Sequence, residues 1–118
     1  MTEYQHQKTI MQWASYCSNR IKYPGLELLY HIPNEVKCTA AQGKYRKDIG
    51  VKSGIPDLCL PVSRGGYHGL YIELKTEKGR ATENQKTWIS QLTEQGYCAK
   101  ICYGFDEAIQ CIISYYEN

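Results

Sequence analysis

No apolar run in this chain approaches the roughly 20 residues that a membrane-spanning helix needs, so no membrane segment is expected. The start, Met1-Thr2-Glu3-Tyr4-Gln5-His6-Gln7-Lys8, lacks both the basic stretch and the apolar core of a signal peptide, which predicts a cytosolic protein. CxxC pairs are missing too, and no closely spaced Cys or His pairs repeat, which argues against structural zinc. Six cysteines remain (Cys17, Cys38, Cys59, Cys98, Cys102 and Cys111), and their apolar surroundings predict reduced, buried thiols rather than a disulfide framework. A formal net charge of +2 is too small to indicate a nucleic-acid partner by itself. Internal repeats, low-complexity tracts and linkers are absent.

What is present suits one globular domain spanning 1–118. A chain of 118 residues with 42% hydrophobic and 22% charged residues can bury a single core, and it is too apolar to be disordered. Ile10, Trp13, Ala14, Cys17 and Ile21 recur at helical spacing, predicting a first helix over residues 3–22 that ends at Tyr23-Pro24-Gly25. Residues 26–32 read as a short strand and 36–48 as a helix. Ser53-Gly54-Ile55-Pro56 then turns the chain into a strand over 57–62. Arg64-Gly65-Gly66 predicts a hairpin into a strand over 69–75, and Thr82 reads as the N-cap of a helix running to 95. A strand over 97–103 and a helix over 105–116 follow, the latter with Ala108, Ile109, Ile112 and Ile113 as its buried stripe. The fold class is therefore α/β: a mixed sheet of about four strands flanked by helices, in the order α-β-α-β-β-α-β-α. The strand-helix-strand unit from 69 to 103 should be a parallel crossover.

Chemistry concentrates on the strand over 69–75. Tyr71, Glu73 and Lys75 share one face while Leu70, Ile72 and Leu74 share the other, which sets the acid and the lysine about 7 Å apart on the polar face. Glu35-Val36-Lys37 has the same spacing, so this pattern alone also describes an ordinary surface pair. The difference lies upstream, where Gly54-Ile55-Pro56-Asp57 brings an acid to the mouth of the partner strand. Two carboxylates converging on one point repel unless a cation lies between them, and oxygen donors of this kind suit Mg²⁺ or Mn²⁺. The plainer alternative is that Asp57 caps a turn. Between Glu35 and Lys52, the residues Lys37, Lys44, Arg46, Lys47 and Lys52 face only two acids, which fits a solvated helix face or a phosphate-binding one.

Pro56-Asp57 at the start of one strand, with Glu73-Leu74-Lys75 at the end of the next, resembles the PD-(D/E)XK nuclease superfamily and its restriction-endonuclease-like fold. Adding His31-Ile32-Pro33-Asn34-Glu35, Gly54-Ile55-Pro56-Asp57-Leu58 and Thr82-Glu83-Asn84-Gln85, the chain looks like a small stand-alone member of the virus-type replication-repair nuclease (VRR-NUC) family. The resemblance implies that Asp57 and Glu73 ligate the metal together with the Leu74 main-chain carbonyl, and that Lys75 acts on the attacking water. A lysine beside two carboxylates and a phosphate should stay protonated, so Lys75 suits charge stabilisation better than base catalysis. Gln85 matches a family glutamine at the site and also fits a capping box with Thr82. Glu3, with Gln7 one turn on, matches the family's first-helix acid and potential metal ligand. His31, Asn34, Lys44, Tyr45, Arg46, Lys47 and Lys52 are candidate DNA contacts.

The expectation is an Mg²⁺- or Mn²⁺-dependent endonuclease that cuts branched DNA. The family's small members resemble Holliday-junction resolvases, and a symmetric homodimer matches two opposed cuts on a four-way junction. A phage source is part of what the resemblance suggests, which would place the protein in the bacterial host cytosol. The alternatives are a nuclease for flaps or ends, a non-catalytic DNA-binding module, and a structural protein with a fortuitous motif.

Overall fold

Three of the helices begin on the same local chemistry. Thr2, Thr39 and Thr82 each accept a hydrogen bond from the backbone N–H three residues on, and Gln5, Gln42 and Gln85 reach back to the cap in reciprocal capping boxes. The computed structural model describes residues 1–33 and 39–118. In it the helices are α1 (Glu3–Ser15), α2 (Cys17–Lys22), α3 (Ala40–Asp48), α4 (Glu83–Glu94) and α5 (Gly104–Glu117), and the strands are β1 (Tyr30–His31), β2 (Leu58–Leu60), β3 (Leu70–Lys75) and β4 (Cys98–Tyr103).

The helix predicted over 3–22 is two helices. Tyr16 takes extended backbone between them, and the Asn19 and Arg20 side chains donate to the Trp13 and Ala14 carbonyls that the break leaves open. The buried stripe therefore stops early: Ile10 and Ala14 are in the core, whereas Cys17 is exposed and Ile21 is 81% exposed. The strand expected over 26–32 is mostly a 3-10 turn (Leu26–Leu28), with β1 only two residues long. Gly25 opens that turn at φ +91, and a β-carbon on it would fall 2.7 Å from Val62 Cγ2.

The sheet runs β1-β2-β3-β4, with the first two pairings antiparallel and β3-β4 parallel, which is the mixed sheet expected. Between β2 and β3, Arg64 and Tyr67 exchange backbone hydrogen bonds of 3.2 and 2.9 Å around Gly65 and Gly66, both at positive φ as a two-residue hairpin turn demands. Tyr67 thus belongs to the turn and not to a strand.

Strand alternation sorts the sheet into two unlike faces. Leu58, Leu60, Leu70, Ile72 and Leu74 pack against Ile10 and Ala14 of α1 and Ala108, Ile112 and Tyr115 of α5. Each such aliphatic side chain contributes about 1.5–3 kcal/mol by leaving water. The opposite face carries Cys59, Tyr71, Glu73 and Lys75, and α4 covers it while burying only Gln85 of its own residues. The hydrophobic core occupies one face, and the polar groups converge on the other.

Candidate active site

Asp57 sits immediately before β2 and is 3% exposed. Leu58 pairs with Ile72, so continuing the register by one residue sets Asp57 opposite Glu73. Its Oδ2 accepts a 2.8 Å hydrogen bond from the Leu74 N–H. The carboxylate is thus held across the hairpin by the neighbouring strand, and it does not cap its own turn. Its carbonyl accepts from Ile32 N–H at 2.7 Å and from His31 Nδ1 at 2.9 Å, so Nδ1 carries the proton and His31 braces the Asp57 backbone.

The loop that delivers Asp57 is clipped to α4. Asn84 Nδ2 donates to the Ser53 carbonyl at 2.9 Å and to Ser53 Oγ at 2.8 Å, and Trp88 Nε1 donates to the same carbonyl at 3.0 Å. Gly54, at φ +84, lies so close that a β-carbon would fall 2.8 Å from Asn84 Nδ2. The glycine is needed twice over, for its backbone angle and for this approach.

Glu73 is 1% exposed in the middle of the polar face. Its Oε2 lies 3.4 Å from Gln85 Nε2 and 3.6 Å from Lys75 Nζ, and the lysine side chain is itself only 11% exposed. The Gln85 amide holds both roles open to it: Oε1 accepts from Thr82 N–H at 2.9 Å, closing the capping box, and Nε2 turns to Glu73. Helix initiation therefore orients a side chain at the site. The phenol of Tyr71, on the same face, is pushed up to about 12 by burial and by the Cys59 thiol beside it.

Two carboxylates buried to this degree carry a desolvation cost of several kcal/mol each unless compensated, and Lys75 supplies one positive charge for the two. A divalent cation fits the remaining imbalance. Among the described residues no group of three or more His, Cys, Asp or Glu forms a closed metal cage. Two carboxylates with a neighbouring main-chain carbonyl, that of Leu74, instead match what Mg²⁺ accepts, since it keeps several waters and takes substrate phosphate oxygens as further ligands.

Glu3 is half-buried in the first turn of α1, and Met1 and His6 from the same end share a cavity with Thr76, the residue after β3. His6 fixes this end by accepting a 3.0 Å hydrogen bond from Phe105 N–H on Nδ1. Within the basic segment, Ala40–Asp48 form α3, which buries none of its residues, and Lys37 lies outside the described residues. Tyr45 there is 65% exposed, Arg46 is half-buried and Lys47 exposed, while Lys44 pairs with Asp48 at 3.1 Å. Lys52 is exposed as well, and Asn34 lies outside the described residues.

Sequence reasoning missed two sets of residues. Asn84 and Trp88 position the Asp57 loop, and the only hint was Asn84 lying inside the Thr82–Gln85 motif. Lys78, Arg80 and Lys86 line a cavity with Ile101 and Tyr103 at the end of β3, on the site's side of the sheet. The available signal was the pair Lys78 and Arg80 in the stretch between the strand lysine and the Thr82 cap.

Comparisons with known proteins agree with this fold. A sequence profile of the VRR-NUC domain matches residues 1–106. A solved structure described as a VRR_NUC domain protein superposes with a TM-score of 0.82 at 34% identity, covering 99% of this chain and 89% of that chain. No curated protein sequence matches this chain.

Proposed function

Given that the chain belongs to the VRR-NUC family, we propose that it is a structure-selective, metal-dependent DNA endonuclease that hydrolyses phosphodiesters in branched DNA. The observation that carries this reading is the burial of Asp57 and Glu73 opposite one another on the polar face, with Lys75 and Gln85 turned onto the Glu73 carboxylate. A binding module has no use for buried acids at the place where it meets phosphate, since they repel the backbone it must hold.

Each group has a distinct task. Asp57, fixed through Leu74 N–H, and Glu73, fixed through Gln85, would hold a shared Mg²⁺ or Mn²⁺ through their carboxylates, together with the Leu74 carbonyl. Such an ion, when bound, supplies a water of lowered pKa and positive charge at the phosphate. Lys75, 3.6 Å from the Glu73 carboxylate, offsets the charge that builds on the non-bridging oxygens. Glu3, in the first turn of α1, would be a further oxygen donor. Lys78 and Arg80, together with the α3 residues and Lys52, supply contacts to the DNA backbone, and these fix register without reading sequence.

The preferred substrate is a four-way junction cut by a symmetric homodimer, whose paired sites match two opposed scissile bonds. Labelled four-way junctions, flaps and linear duplexes, each incubated with Mg²⁺ or Mn²⁺, test this. Paired symmetric cuts in the junction support it. Preferential cutting of flaps or duplex ends assigns the same chemistry to the alternative substrate, and binding without cutting by the metal-supplied protein leaves only the DNA-binding reading.

A further inference from the structure

Strands β3 and β4 run parallel and end side by side, with Lys75 in register with Tyr103. Residues in register share a face, so Tyr103 stands beside Lys75 on the polar side of the sheet, and it is 42% exposed. Two cavities open where these strands stop, outside the carboxyl ends of a parallel pair, which is where open α/β sheets hold ligands. Tyr103, Glu77 and Lys78 line both of them. Beyond that shared wall the two differ in chemistry. The first, of about 540 Å³, is lined by the His6 and Phe105 rings together with Thr76 and the Asp106 carboxylate. This wall is fixed: Phe105 N–H donates to His6 Nδ1 at 3.0 Å, the two ring centroids lie 5.5 Å apart, and Gly104 at φ +86 turns the chain between Tyr103 and Phe105. The second, of about 750 Å³, sets Lys78, Arg80 and Lys86 against the single acid Glu77. Three cations suit phosphate, whereas rings beside the Glu77 and Asp106 carboxylates repel phosphate and suit the flat, uncharged face of a nucleobase. Cleavage itself uses neither Tyr103 nor the first cavity.

We propose that these cavities hold one unpaired nucleotide next to the bond being cut, its base stacked on Tyr103 in the first and its phosphates on Lys78, Arg80 and Lys86 in the second. This site rests on the endonuclease reading and adds to it the feature that a branched substrate must supply, a base free of its own stack. A base inside a continuous duplex is stacked on both sides and must be pulled out before it can enter. At a branch point a base leaves the stack at lower cost. Tyr103 thus favours branched over linear DNA without reading sequence, because every base has a face to stack.

The test removes the ring and the base singly and together. The native full chain, Tyr103→Ala and Tyr103→Phe, matched for folding by their melting curves, are titrated onto a labelled four-way junction with Ca²⁺ replacing Mg²⁺, so that binding is read apart from cutting. The titrations are repeated on the same junction carrying an abasic site at each nucleotide flanking the cut mapped in Mg²⁺ or Mn²⁺. Tyr103→Ala should bind the intact junction about 5- to 150-fold more weakly, and the abasic site on one side of the cut should weaken native binding by the same factor. Combining the two should cost nothing more, which a merely structural role for the ring would not produce. Tyr103→Phe, which keeps the ring, should bind as the native chain does. Native affinity in Tyr103→Ala, losses that multiply at both flanking positions, or an equal loss in Tyr103→Phe would each overturn the proposal while leaving the nuclease standing. A native chain that leaves the junction uncut overturns the endonuclease reading, and this site with it.

Discussion

Replacing Gln85 by glutamate separates the two tasks its amide performs. Glutamate serves a capping box as well as glutamine does, so the start of α4 should be kept. What changes is the atom 3.4 Å from Glu73 Oε2, which becomes a carboxylate oxygen instead of an N–H donor. At an effective dielectric of about 20, two unit negative charges at that distance repel by about 5 kcal/mol. The pair escapes part of this by keeping one proton, and holding it at pH 7 against an unperturbed value of about 4.3 costs about 3.7 kcal/mol, which caps the loss. Because the folded carboxyl pair is raised above its unfolded value, the penalty is absent below about pH 4 and grows as pH rises. Urea denaturation should therefore find Gln85→Glu less stable than the native chain by about 3–4 kcal/mol at pH 7 and by about 1 kcal/mol at pH 5. Added Mg²⁺ should restore part of the difference at pH 7. Equal stability of the two proteins at both pH values would refute the claim that the amide is committed to Glu73.

Other perturbations probe the parts that hold the site. Gly54→Ala should cost about 2–3 kcal/mol, from a positive-φ penalty of about 1–2 kcal/mol and the displaced Asn84 hydrogen bonds, and thermal melts should show the loss. Replacing Lys44, Arg46 and Lys47 together by alanine should weaken binding of every DNA form alike, and it should lower the slope of log affinity against log salt by about 0.9 for each phosphate those side chains neutralise. An unchanged salt slope would remove α3 from the DNA path. Stability should also fall between pH 10 and 12. Burial holds the Tyr71 and Tyr116 phenols protonated to about 12, against about 10 when unfolded, so their contribution is complete below pH 10 and is lost through 12. Alkaline denaturation of Tyr71→Phe should show a shallower decline.

The sheet and the polar strand were legible because their signals are local. Period-two alternation over Leu70–Lys75, the Gly-Gly turn and the Thr82 cap each depend on a few neighbouring residues, and each reappears in the structure. The break at Tyr16 was not legible: helical spacing continues through Cys17 and Ile21, and the break is held by Asn19 and Arg20 reaching back six residues. The 3-10 turn at Leu26–Leu28 likewise depends on Gly25 meeting Val62, far along the chain. At the site, spacing within β3 alone favoured an ordinary surface pair over a metal site. The family resemblance chose between them, and the Asp57–Leu74 hydrogen bond now supplies a physical reason for the placement of the acid. The clip from Asn84 and Trp88 to Ser53 spans more than 30 residues, so no local pattern announces it. The basic cavity around Lys78, Arg80 and Lys86 exists only once β4 returns parallel to β3 and brings Tyr103 beside the loop.

The central claim is that Asp57 and Glu73 hold the ion at which DNA is cut, with Lys75 offsetting charge in the transition state. It is tested most directly by single-turnover cleavage of a labelled four-way junction in Mg²⁺ or Mn²⁺, comparing the native chain with Glu73→Gln and Lys75→Ala, all three first matched for folding by their melting curves. The account predicts metal-dependent cleavage by the native chain, none by Glu73→Gln at any metal concentration, and a rate lower by about 10²–10³-fold for Lys75→Ala with junction binding retained. Cleavage by Glu73→Gln at the native rate and with the native metal dependence would contradict it.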